Sequence, residues 1–271
     1  MSDLTSPPPS PVRSIVDALL DRRPFGDPWL EGLWKAASAT RPGVAAPCPS
    51  PIGTLLIEEA PSDPAARIGK VFDRAVAPPA ALLRWMLAHP EALEVTDRDT
   101  FGAKSDEARA WRRRLFSGTP ADVAAARDEG LRQLDSRLGQ RGRNKWWLFE
   151  GFARVDACFV TESAVLFVEG RADVATTSSS RWLPRRTQLW RDVEAASEFA
   201  AGRAFGVIIG VDDVAAGVAA LGEADASLAD SMPHRTAAER EALAAHLLGY
   251  VVWSDVAAAF ELPAPGSQAP A

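Results

Sequence analysis

Two acidic residues stand where strand-like runs should be apolar. Asp156 interrupts the run 155–160, and Glu169 closes the run 165–168. A carboxylate set among apolar strand residues is costly unless something pairs with it. A hard divalent cation, Mg2+ or Mn2+, is a suitable partner for oxygen ligands. Side chains alternate along a strand, so Glu169 and Arg171 share a face, and Asp156 can reach that face from the neighbouring strand. The carbonyl of Gly170 offers a third ligand. The competing reading is an ordinary set of ion pairs, Glu169 with Arg171 or Arg185, with Asp156 at a strand edge.

Positioning these groups takes adjacent strands. Residues 146–153, 155–160 and 165–168 are β-rich, and Thr161-Glu162-Ser163 between the last two reads as a hairpin turn. A helix over about 187–201 and a buried strand over 205–211 follow. Three strands, a crossover helix and a returning strand make an α/β arrangement with a mixed sheet and helices on its faces. Thr236 to Glu239 is a capping box for a helix through Leu248, and 253–260 makes a last helix with Ser254 or Asp255 near its start.

Upstream the pattern is mainly helical. Asp63-Pro64 is a start signal, with Ile68, Val71, Phe72 and Val76 at helical spacing until Pro78-Pro79 ends the helix. Residues 80–88 begin another helix, and Thr119 to Asp122 opens one over 123–138. Arg112, Arg113 and Arg114 on the preceding helix read as a solvated face. The chain therefore divides into a Pro/Ser-rich disordered tail (1–25), a mainly helical region (26–140), a core with C-terminal helices (141–262) and a second disordered tail (263–271).

Bulk properties exclude several classes. The net charge of -6 argues against a nucleic-acid coat over the whole surface, though not against a local basic patch. Cys48 and Cys158 lack zinc spacing and read as reduced thiols. The N-terminus has no apolar signal-peptide core, and no apolar run approaches the ~20 residues that span a bilayer. No membrane association and a cytoplasmic location are expected. His89, His234 and His246 are scattered and form no triad, and no glycine-rich phosphate loop occurs.

Val155-Asp156, twelve intervening residues and then Glu169-Gly170-Arg171 resemble the PD-(D/E)XK nuclease superfamily. Phe149-Glu150-Gly151 before the Asp, and Thr176-Thr177 and Trp182 through Gln188 after the Glu, add to the likeness. It covers 146–211 well and reaches weakly to 260. The resemblance implies a restriction-endonuclease-like mixed sheet with flanking helices. It makes Asp156 and Glu169 metal ligands, places Arg171 where the family usually carries Lys, and gives Gln188 an orienting role. Glu150 is either an additional acid or a capped strand residue. The motif's proline is Val155 here. Arginine does not give up its proton, so Arg171 can position a phosphate but cannot serve as a base.

From Arg137 to Arg191, ten basic residues face five acidic ones, a local surplus of +5 in an acidic protein. Arg181, Arg185, Arg186 and Arg191 are the candidate contacts to DNA or RNA. Trp182 and Trp190 lie in the same stretch, where aromatics can stack on bases, although helical spacing favours core packing for Trp190. Residues 176–180 read as a polar loop able to lie over a substrate. The expected activity is metal-dependent phosphodiester hydrolysis. The alternative is a catalytically weakened or inactive relative that binds nucleic acid or a protein.

Overall fold

A computed structural model of the protein describes residues 27–56, 72–96, 105–137, 145–170, 172–177 and 180–262. Among the described residues, five strands form one mixed sheet in the order β1-β2-β3-β4-β5: β1 (Phe72–Val76), β2 (Ala153–Val160), β3 (Ala164–Glu169), β4 (Ala204–Val211) and β5 (Leu247–Val252). The first two junctions are antiparallel and the last two parallel. The helices are α1 (Asp27–Ser38), α2 (Ala80–Ala88), α3 (Asp106–Ser117), α4 (Pro120–Arg137), α5 (Gln188–Ala200), α6 (Val214–Ser231), α7 (Ala237–Ala244) and α8 (Trp253–Ala259).

The sheet is covered on both faces. Along β3 the apolar side chains alternate, so Val165 and Phe167 join Leu189, Trp190 and Val193 of α5 in one cluster. Leu166 and Val168 join Trp34 of α1 and Trp253 and Val256 of α8 in another. All six residues of β3 are buried, as expected of a strand covered on both sides. A third cluster joins α2, α3 and α4 to Trp146, Trp147, Phe149, Trp182 and Leu183. That helical unit thus rests on the two segments leading into β2 and α5. Among the described residues no helix is long and apolar enough to cross a membrane.

Several sequence expectations are corrected. Residues 72–76 are not the end of a helix but edge strand β1, and 146–153 is irregular up to the start of β2. The first of the three neighbouring strands therefore comes from far upstream, where Phe72 pairs with Ala157 and Val76 with Ala153. Residues 247–252 form β5 rather than a continuation of the capping-box helix, and α6 was not anticipated. Within region 26–140 the described residues form α1 to α4 and also supply strand β1. The start signal at Asp63 and both tails lie outside the described residues.

β5 is the other sheet edge, and α1 closes it. Arg41 donates through Nη1 to Leu247 O at 3.0 Å, and Thr40 Oγ1 accepts from Tyr250 N–H at 3.0 Å. Gly249 between them has φ +136°, and a Cβ there would stand 2.3 Å from Ala37 O. Only glycine lets the strand approach the helix this closely. These contacts occupy polar groups that would otherwise invite another strand.

Candidate metal and nucleic-acid site

The β2–β3 hairpin brings the two acids together. Thr161 closes its turn, donating N–H to Ala164 O at 2.8 Å and accepting Ala164 N–H on Oγ1 at 2.9 Å. The pairing runs from Val160–Val165 to Ala157–Val168. Continued by one residue, it sets Asp156 across from Glu169. Cross-strand partners are close neighbours on one face. Gly170 N–H donates to Asp156 Oδ2 at 2.9 Å, which fixes the half-buried aspartate against the end of β3. Glu169 is completely buried.

Helix α5 lies over this end of the hairpin and brings a residue that sequence reasoning missed. Asp192 is completely buried and accepts from Gln188 Nε2 at 2.8 Å on Oδ1. Its Oδ2 has no hydrogen-bond partner among the described residues. Burial pushes the Asp192 carboxyl well above the ordinary carboxylate range, and the Asp156 charge adds to that push; Arg191, the Gln188 hydrogen bond and Arg186 oppose it. The available signal was the i, i+4 spacing of Gln188 and Asp192 at the start of an apolar helix.

A raised carboxyl costs stability above its unfolded pKa. The folded state favours the proton, so the Asp192 contribution is best below roughly pH 3.9 and is lost as pH rises through the folded value. Asp192→Asn keeps an acceptor for Gln188 and removes that cost. Thermal unfolding in EDTA should show the variant more stable than the parent at pH 7, with the difference shrinking at pH 4. Equal destabilisation at both values would show that Asp192 is not held against its charge.

The remaining predicted residues divide by burial. Glu150 is completely buried and clamped by Arg186, with Nε to Oε2 at 2.6 Å and Nη2 to Oε1 at 3.2 Å. Arg186 is therefore not a surface contact for nucleic acid. Its Nη1 also donates to Glu194 Oε2 and to Ser231 O, each at 2.8 Å. Glu194 Oε1 further meets His234 Nε2 at 2.8 Å and Arg235 Nε at 2.9 Å. Burial alone would raise the Glu194 carboxyl, but Arg186, His234 and Arg235 hold it down to about 2. Burial opposes the Arg186 charge, yet the two glutamates outweigh it and raise its pKa further.

Arg191 is also mostly buried, donating from Nη2 to Gly151 O at 2.5 Å and lying 3.4 Å from Glu150 through Nε. It anchors α5 to the segment entering β2 instead of facing solvent. Arg181 and Arg185 are exposed, Arg185 standing 3.6 Å from Asp230. Trp182 and Trp190 are both core residues, and Trp190 donates to Ala224 O at 2.9 Å. Arg112 is drawn from the supposed solvated face over the Trp182 ring, 5.3 Å from its centroid. Arg171 and residues 178–179 lie outside the described residues.

Among the described residues, no group of three or more His, Cys, Asp or Glu side chains is gathered as a cation cage. The donor set is nonetheless of the right chemistry. Asp156 and Glu169 carry hard oxygen donors at the end of the β2–β3 hairpin, and the buried Asp192 Oδ2 has no hydrogen-bond partner among the described residues. Compared with known proteins, the chain matches no family model, no curated protein and no solved structure.

Proposed function

We propose that the protein is a metal-dependent nuclease that hydrolyses phosphodiester bonds at the Asp156–Glu169 pair, within a core of the restriction-endonuclease-like kind. The observation that carries this reading is the hydrogen bond from Gly170 N–H to Asp156 Oδ2, which holds one carboxylate at the end of β3, next to the residue that follows Glu169. The antiparallel hairpin, crossover helix and parallel return strand supply the order that the PD-(D/E)XK resemblance calls for.

Asp156 and Glu169 would hold Mg2+ or Mn2+. When bound, such an ion stabilises charge on the scissile phosphate and lowers the pKa of its water. The chain's own residues supply the positioning. Gly170 N–H orients Asp156, Gln188 orients Asp192, and Arg191 ties α5 to Gly151 at the approach to β2. Arg181 and Arg185 present positive charge on the segment entering α5. Arg171 follows Glu169 by two residues and can neutralise phosphate charge without exchanging a proton. A cytoplasmic setting suits Cys48 and Cys158, which are not joined in a disulfide.

That arginine also favours a second reading, a nuclease-like protein that binds nucleic acid with weakened or no cleavage. One experiment separates the two. Labelled DNA and RNA, single-stranded and duplex, are incubated with the purified protein in Mg2+, Mn2+ or EDTA. Cleavage stopped by EDTA supports the nuclease, and retention without cleavage supports the second reading. A protein that neither binds nor cleaves would contradict both.

A further inference from the structure

We propose that Phe152 and Arg154 form a subsite beside the Asp156–Glu169 pair that grips single-stranded nucleic acid, the base on Phe152 and the backbone phosphate on Arg154. This rests on the nuclease reading and names its substrate class. Burial alternates along the start of β2: Ala153 and Val155 are fully buried, Arg154 is exposed and Asp156 half-buried. Arg154 lies two residues from Asp156 along β2, about 6.6 Å away, and is exposed where Ala153 and Val155 on either side of it are buried. That distance is of the order of one nucleotide step. The residue across from Arg154 on β1 is Ala75, small and exposed, so no bulky neighbour shades the arginine. Among the described residues Arg154 makes no ion pair or hydrogen bond of the kind that occupies Arg186 and Arg191.

Phe152 stands immediately before the strand. It is 39% exposed and the one aromatic among the exposed large apolar side chains of the described residues. A single exposed apolar residue is ordinary. This one differs in how it is held. Gly151 O accepts from Arg191 Nη2, and Glu150 is clamped by Arg186, so the backbone immediately before Phe152 is fixed to α5 and the core. The ring is presented on a rigid support, the condition under which a stacking platform costs little to organise.

The ring also selects the strand state. Inside a duplex each base is covered above and below by its neighbours, so an external aromatic face cannot stack on it. An unpaired base leaves its face available, and stacking on an aromatic contributes about 1–3 kcal/mol per base. Arg154, acting on the phosphate, carries no base preference.

Fluorescence anisotropy in EDTA tests this with a labelled single-stranded oligonucleotide and a blunt hairpin duplex closed by a non-nucleotide linker, which leaves no base unpaired. The parent should bind the single strand more tightly. Phe152→Ala should weaken single-strand binding roughly 5- to 150-fold, the equivalent of one stacked base, and leave hairpin binding unchanged. Phe152→Trp should retain single-strand binding. Arg154→Ala should lower the salt slope of single-strand binding by about 0.7. Both positions are exposed, so unfolding temperatures should hold and exclude a folding artefact. Tighter binding to the hairpin, or a Phe152→Ala variant that binds single strands as the parent does, overturns the subsite. If such a variant still cuts nucleic acid in Mn2+, the nuclease reading stands and the subsite alone falls. If the parent binds neither probe, in EDTA or in Mn2+, both fall.

Discussion

Arg186→Ala should destabilise the fold by roughly 3–5 kcal/mol, the cost of removing one partner from a buried ion pair. Arg186 is wholly buried, and its guanidinium serves Glu150 and Glu194, both wholly buried themselves. Without it, Glu194 keeps His234 and Arg235, whereas Glu150 keeps Arg191 at 3.4 Å. The pH dependence identifies the cause. Glu194 is held down to about 2, below its ordinary value of roughly 4.3. Its stabilisation is therefore present above the ordinary value and lost as pH falls toward 2. Removing Arg186 weakens that contribution, so the variant should unfold in acid at a higher pH than the parent. Adding Glu150→Gln to Arg186→Ala should recover part of the loss, because an uncompensated buried charge is removed. Urea unfolding at pH 7 and acid titration by circular dichroism measure both effects. Unfolding indistinguishable from the parent would show that the network does not hold α5 in place.

Asp156→Asn and Glu169→Gln should each abolish metal-dependent cleavage, lowering the rate by a factor of about 1,000 or more, in the range lost when a group central to transition-state charge is removed. Both changes keep side-chain shape. In Asp156→Asn the amide oxygen can still accept Gly170 N–H, so the β3 terminus should stay in place. The variants should unfold at or above the parent temperature in EDTA, because an isosteric amide removes a carboxylate charge from the interior. Loss of cleavage together with a retained fold separates the proposed role from an ordinary structural ion pair. Cleavage at the parent rate in either variant would refute the assignment of that carboxylate.

The parts of this site that were legible in the sequence are those fixed by local signals. The Asp156–Glu169 hairpin could be read because a short polar turn separates two apolar runs, and Gln188 because the helix begins where its pattern begins. β1 and β5 could not. Phe72 finds its partner at Ala157 and Leu247 at Val207, pairings that depend on tertiary context rather than on local preference. The run ending in β5 follows an actual capping box and simply continues the helical pattern in sequence. Burial was the other hidden variable. Arg186 and Arg191 look like substrate contacts in a basic stretch, yet the Glu150 and Glu194 carboxylates draw Arg186 into the interior and Gly151 O fixes Arg191 there. Asp192 escaped notice for the converse reason. One acid in a helix with Arg191 and Glu194 beside it looks solvated until residues 189–196 are seen to be buried throughout.

Mn2+ binding is the most direct measurement of whether the opposed carboxylates hold a cation. Electron paramagnetic resonance counts free Mn2+ as the metal is titrated into the parent protein and into the double variant Asp156→Asn with Glu169→Gln, both shown to be folded by circular dichroism. The account predicts saturable binding in the parent that disappears in the double variant. Equal binding by the two proteins, or none by the parent, would contradict it.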